Sequence, residues 1–228
     1  MQVKLLSEAF ESYKEFLLTE EAERNLYIWE SQRIFQENWD LENADLIGMY
    51  DQSLQNSQTR RLWRKESYAP KDMMLKFIGL SEDYFVQMFG DLFNEEKSID
   101  GRVDRFAFYC DQLLLEYRNK YPRRIETNHH HGDGYQMISL YLAFRFPEKY
   151  TLFRSHRFRA FLKKMGVANL PEANDFPRFV NVSRTVYKLM QKDTDLMDLH
   201  QKRLKENFHF MGESLLLVFD FMERVVEG

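Results

Sequence analysis

The sequence predicts a mainly α protein, a single helical domain of about nine to ten helices, with one short extended segment or hairpin near residues 150–154 as the exception. Three observations point there. Apolar residues recur at three- and four-residue steps along most of the chain. Only 9 Gly and 5 Pro among 228 residues leave little turn material for a many-stranded protein. A hydrophobic fraction of 44% and an aromatic fraction of 15% are enough to fill a large core.

Taken in order, Leu6, Phe10, Tyr13 and Leu17 give a first helix with one apolar stripe. Leu26, with Trp29 or Ile28, and Ile34 mark a second, whose positive N-terminal end is matched by Glu20, Glu21 and Glu23. Asn43 is placed to cap a short helix carrying Leu46, Ile47, Tyr50 and Leu54. The polar run QNSQTRR, residues 55–61, reads as a loop. Ser81 caps a helix that turns Tyr84, Phe85, Met88, Phe89 and Leu92 inward.

The clearest helix runs from about Ile99 to Tyr121, where Val103, Phe106, Ala107, Cys110, Leu113, Leu114 and Tyr117 keep helical spacing for four turns. Pro122 ends it, because the residue before a proline avoids the α region. A loop through three histidines follows, and residues 122–134 are the one place where the domain could subdivide. Tyr135, Ile138, Tyr141, Leu142 and Arg145 then build a helix that stops at Phe146-Pro147. Tyr150–Phe153 has extended character, Ser155 is a candidate cap, and Lys163-Lys164-Met165-Gly166 is a helix ending. After the loop VANLPEANDFP come a helix with Phe179, Val182, Val186 and Met190, and two more over about Asp195–Asn207 and Glu213–Val226.

Composition narrows the function classes. Cys110 is the single cysteine, so no internal disulfide can form, and a reducing cytoplasmic setting is expected. The N-terminus lacks a signal-peptide pattern, and no apolar run approaches the roughly 18 residues of a membrane span. A net charge of −4 argues against coating nucleic acid wholesale, but the charge is uneven. Residues 1–59 hold 12 acids against 4 bases, whereas the rest holds 28 bases against 24 acids. The bases gather at Arg60–Lys65, at Arg118–Arg124 and at Arg145–Lys164. Each cluster reads either as a polyanion site or as a solvated helix face.

Three constellations are candidates for chemistry. His129, His130, His131 and Asp133 imitate the His-x-His-x-Asp pattern of binuclear metallohydrolases, but Gly134 stands where a further His is needed. The histidines therefore read as exposed loop residues, with no metal and no cofactor expected. Arg123 or Arg124 with His129 has the spacing of the HEPN-type helical ribonucleases, but Ile125 replaces the usual polar neighbour and Pro122 puts the pair in a loop. Phosphate-loop, nucleophile-elbow and Cys-x-x-Cys motifs are missing, and no catalytic residue is assigned.

The third constellation is basic and aromatic. Between Phe144 and Lys164 seven cations face one acid, Glu148. Cations hold phosphates and aromatic rings stack bases, so this mixture suits nucleic acid. The expected binding residues are Arg145, Lys149, Tyr150, Phe153, Arg154, Arg157, Arg159 and Lys163, with Tyr150 or Phe153 as the stacking platform. The competing expectation is that the rings are core and the cations solvate its outer side.

The string ISLYLAFRFPEKYTLFR, Ile138 to Arg154, resembles a segment in the N-terminal region of McrB-like AAA+ NTPases of bacterial restriction and phage-defence systems. YIWESQRIFQENWD, VDRFAFYCDQLLLEYRNKY and LHQKRLKENFHFMGESLLLVFDFM are similar to that region in order and character. HHGDGYQM departs from it, standing where a Gln-Asp-acid-Arg stretch is usual. The resemblance implies a non-catalytic recognition module for nucleic acid, often modified DNA. An NTPase ring and a separate McrC-like nuclease would supply motor and cleavage, and no NTPase motif occurs in these residues. The alternative expectation is an assembly module that docks to the NTPase ring or to a phage trigger protein through its acidic first helices and exposed aromatics.

Overall fold

The computed structural model describes residues 1–65, 68–132 and 134–227. Among these residues there are eleven α-helices, one 3-10 helix and no strand. Helix α1 (Val3–Leu17) is followed by the 3-10 helix Glu20–Asn25, α2 (Tyr27–Asn38), α3 (Leu46–Ser53), α4 (Pro70–Ile78), α5 (Glu82–Phe93) and α6 (Ile99–Lys120). Then come α7 (Gln136–Arg145), α8 (Ser155–Lys164), α9 (Phe176–Met190), α10 (Thr194–Arg203) and α11 (Leu216–Glu227). None of these helices is long and apolar enough to cross a membrane.

Two helices form the axis because nearly every face of them is buried, α11 including the charged Asp220 and Glu223. In α7 every residue from Met137 to Phe144 is buried, and in α11 every residue from Leu216 to Glu223. Helices α2, α5 and α6 close over α7 through a ring cluster. Trp39 packs on Phe35, Phe89 and Phe93, and Tyr141 on Phe89 and Phe106. Helices α1, α8, α9 and α10 surround α11, where Phe221 meets Phe10, Tyr13 and Phe161. A single cluster of buried residues runs from Leu6 to Met222. The stretch near 122–134 is tied into it. Asn128 exchanges hydrogen bonds with the backbone of Ala69, and His130 reaches Cys110 and Tyr141.

Local chemistry corrects several expectations. Helix α4 is added to the expected elements: Pro70 opens it at a position needing no N–H donor, and Met73, Met74, Phe77 and Ile78 form its buried face at helical spacing. The cap of α3 is Asp45, whose Oδ1 accepts from the Gly48 N–H at 2.8 Å, while Asn43 accepts from Asp45 in the turn before it. Glu20, Glu21 and Glu23 lie inside their own 3-10 helix. Ser155 does not cap α8: it is the first helical residue and its hydroxyl donates to the carbonyl of Ala173, while Arg154 occupies the N-cap position without a side-chain capping hydrogen bond. Residues 150–154 form no strand or hairpin. They are an irregular link in which Tyr150, Thr151, Leu152 and Phe153 are buried and Arg154 reaches the surface, and the Phe153 N–H donates to Ser139 Oγ at 2.8 Å.

Candidate nucleic-acid interface

The predicted basic segment spans the end of α7, the link and α8, and α11 packs along it. Sequence alone places its cations close together. The fold decides which of them face solvent and which acids they meet.

Tyr150 and Phe153 are not stacking platforms. Both are almost wholly buried, at 3% and 2% exposure. Phe153 fills the space among Phe158, Phe176 and Phe179. The Tyr150 hydroxyl donates to Glu95 Oε1 and accepts from Arg102 Nη2 at 2.6 Å. Arg102 is itself buried and also donates to the Leu92 carbonyl at 2.9 Å. Burial alone would raise the Glu95 carboxyl, but hydrogen bonds from Lys149 and Tyr150 outweigh it and hold the group below its ordinary value. Tyr150 and Lys149 therefore fasten the end of α7 to the α5–α6 turn. Their place beside aromatic residues in sequence came from core packing, which residue type alone does not distinguish from base stacking.

Arg154 and Arg157 sit on the surface but are paired. Arg154 Nη1 donates to Glu223 Oε2 at 2.8 Å, and its guanidinium lies 5.2 Å from the Phe219 ring centroid. Arg157 reaches Glu223 at 3.6 Å and Glu227 at 3.3 Å. Glu223 is buried at 6% exposure and anchors both, whereas Glu227 is exposed and exchangeable. Arg145, Arg159 and Lys163 are exposed and make no ion pair among the described residues. Arg145 lies over the Phe146 ring at 5.6 Å.

Two depressions share Arg154. One, of about 690 Å³, is lined by Gln136, Phe153, Arg154, Ser155, His156, Arg159 and Ala173. The other, of about 280 Å³, brings Arg154 and Arg157 together with Arg24 of the 3-10 helix, Arg61 of the loop before α4 and Arg224 of α11. Tyr27, Phe16 and Phe219 supply its aromatic wall, and Asp220 and Glu223 its floor. Arg24, Arg61, Arg224 and Tyr27 carry no local signal, being scattered over two hundred residues. Only the packing of α1, α2, α8 and α11 around one point assembles them.

The histidine loop is structural, which corrects its reading as exposed. His130 is fully buried. Its Nε2 is 2.8 Å from the Tyr141 hydroxyl, which pairs at 2.6 Å with that of Tyr50, and its Nδ1 is 3.6 Å from Cys110 Sγ. Burial pushes its pKa down to about 3. His131 pairs with Asp111 at 2.8 Å, and His129 stacks on Tyr68 at 4.2 Å. The three imidazoles therefore serve three different contacts. No group of three or more potential ligands is gathered among the described residues, and Asp133 lies outside them. Arg124 lies over the Tyr121 ring, and neither it nor Arg123 forms a hydrogen bond to His129 among the described residues.

Comparisons with protein-family models, with characterised proteins and with solved structures give no significant match.

Proposed function

We propose that this chain is a recognition module that binds nucleic acid along α8 and across the arginine cleft beside it. One observation carries the reading. Arg24, Arg61, Arg154, Arg157 and Arg224 come from separate elements to line one depression, and Arg154 connects it to a second that Arg159 borders. Guanidinium groups held in a concave surface concentrate the positive potential that phosphates seek. Lys163 extends the strip along α8, and Arg145 adds a cation at the end of α7. Lys149, Tyr150 and Phe153 support the surface from beneath.

The resemblance of Ile138–Arg154 to McrB-like N-terminal modules supports the reading that such a surface would serve a restriction or phage-defence system of the bacterial cytoplasm. The target would be DNA, modified DNA included. An NTPase ring and an McrC-like nuclease would supply the chemistry that this chain does not. No cofactor is needed for the binding role.

The test is a fluorescence titration of short oligonucleotides against the wild type and an Arg61→Gln/Arg159→Gln variant. Both side chains are exposed and unpaired among the described residues, so the fold should survive. Binding that weakens at least tenfold supports the proposal. Unchanged binding, or none by the wild type, opposes it.

A second reading has its own observation. Phe108 and Leu115, 56% and 55% exposed, lie seven residues apart on one side of α6, opposite in character to the arginine strip. That apolar pair would suit docking to an NTPase ring or a phage trigger protein. Light scattering of the chain mixed with its NTPase, with and without Phe108→Ser/Leu115→Ser, separates the two readings.

A further inference from the structure

We infer that the arginine cleft receives the terminal phosphate monoester of a nucleic-acid strand, not a phosphodiester in the middle of one. The inference rests on the nucleic-acid reading above and narrows it to one kind of phosphate.

Charge carries the first part. Five arginines line the cleft, with Glu21, Asp220, Glu223 and Glu227 as the acids. Asp220 is already satisfied from the protein side. Its Oδ2 accepts from Arg203 at 2.8 Å and from the Tyr13 hydroxyl at 2.6 Å, and its Oδ1 from Asn25 at 2.9 Å. Arg203 does not line the cleft. Three carboxylates then remain against five guanidiniums, an excess of two positive charges. A phosphate monoester carries roughly −1.5 to −2 at pH 7, whereas a diester carries about −1.

Shape carries the second part. The cleft is small, about 280 Å³, and is walled by the 3-10 helix, the loop at Arg61, α8 and α11. An internal phosphodiester brings two sugars to so small a cleft, whereas a strand end brings one. The way out is set by Arg154, which borders both this cleft and the larger depression with His156 and Arg159. The following phosphates would run there. Two of the cations are also held in place before any ligand arrives. Arg224 lies 4.6 Å from the Phe16 centroid and Arg154 5.2 Å from that of Phe219, contacts that restrain both guanidiniums. The same rings offer an apolar wall to the first sugar. The Tyr27 hydroxyl makes no hydrogen bond among the described residues and is available to donate.

The experiment uses internally labelled single-stranded oligonucleotides of one sequence, ending in a 5′-phosphate, in a 3′-phosphate, or in hydroxyls at both ends. Fluorescence anisotropy reads their affinities, with inorganic phosphate and a mononucleotide as competitors. One phosphorylated end should bind at least tenfold tighter than the hydroxyl form. That preference should vanish in Arg61→Gln/Arg224→Gln, checked for folding by circular dichroism. Equal, salt-sensitive binding of all three forms overturns the inference but leaves the nucleic-acid reading standing, and no binding of any form overturns both. A preference that survives the double variant overturns the assignment to this cleft. Inorganic phosphate or mononucleotide bound as tightly as the phosphorylated strand makes it a small-anion site and overturns the strand-end claim.

Discussion

Arg203 and Asp220 form a buried ion pair, Nη2 to Oδ2 at 2.8 Å, at the junction of α1, the 3-10 helix, α10 and α11. The pair is saturated. Arg203 also donates to the Ala22 carbonyl at 2.9 Å and to His200 Nδ1 at 3.2 Å, and its guanidinium lies 5.1 Å from the Trp29 ring centroid. Tyr13 and Asn25 complete the carboxylate. Breaking one partner leaves an uncompensated buried charge. Arg203→Met should therefore cost about 3–5 kcal/mol. Tyr13→Phe removes one hydrogen bond to a charged group and should cost roughly 1.5–3 kcal/mol. Urea unfolding followed by circular dichroism measures both, and Arg203→Met is expected to be the more damaging.

Acid should destabilise the fold through His130. Its folded pKa is pushed down to about 3 by burial, and an unfolded histidine titrates near 6.5. Below pH 6.5 the unfolded chain takes up a proton that the native state refuses. Stability from this group is complete above about pH 6.5 and declines as pH falls toward 3, by up to about 1.4 kcal/mol per pH unit. His200, lowered by burial and then by Arg203, adds in the same direction. Unfolding free energies from urea titrations at pH 7 and pH 5 should differ, and His130→Leu should reduce that difference by roughly 2 kcal/mol. Among the described residues the imidazole contacts Cys110, Phe106 and Tyr141, and the adjacent His131 and His129, when charged, oppose its protonation further.

Glu223→Gln offers an opposite-signed test of the cleft. Glu223 holds both Arg154 and Arg157, so neutralising it loosens two guanidiniums while keeping its shape. Affinity for an oligonucleotide should rise, roughly fivefold or about 1 kcal/mol, even as thermal stability falls. A variant that binds better while folding worse is hard to explain by general damage. Parallel anisotropy and thermal-melt measurements read the two effects.

Asp45→Ala should cost about 1 kcal/mol, because its side chain is the only cap for the α3 N-terminus among the described residues. Asn43→Ala, which removes only the preceding turn contact, should cost less. Chemical denaturation of the two single variants ranks them.

The long helices were legible because periodicity and burial agree. In α6 the predicted inward residues Val103, Phe106, Cys110, Leu113 and Tyr117 are buried, while Ala107 and Leu114 are half-buried at the edge of the same face. Helix α4 is harder to read, since nine residues give little more than two turns of pattern and the signal for its start is a lone proline. The buried place of His130 is hidden in the sequence for a different reason. Its partners stand 20 residues earlier and 11 later, and nothing in HHH distinguishes the middle ring from its neighbours. The cation cluster of α8 was plain in sequence, but the acids that pair with it lie about seventy residues away on α11. Those acids and Arg24, Arg61 and Arg224 become neighbours only through tertiary packing.

The most direct measurement is the salt dependence of oligonucleotide affinity, plotted as log K against log of salt concentration, for the wild type and for Arg61→Gln. Binding through phosphates predicts a steep negative slope that falls in magnitude by about one for the lost contact. A slope near zero, or one that Arg61→Gln leaves unchanged together with the affinity, would contradict a nucleic-acid interface at this cleft.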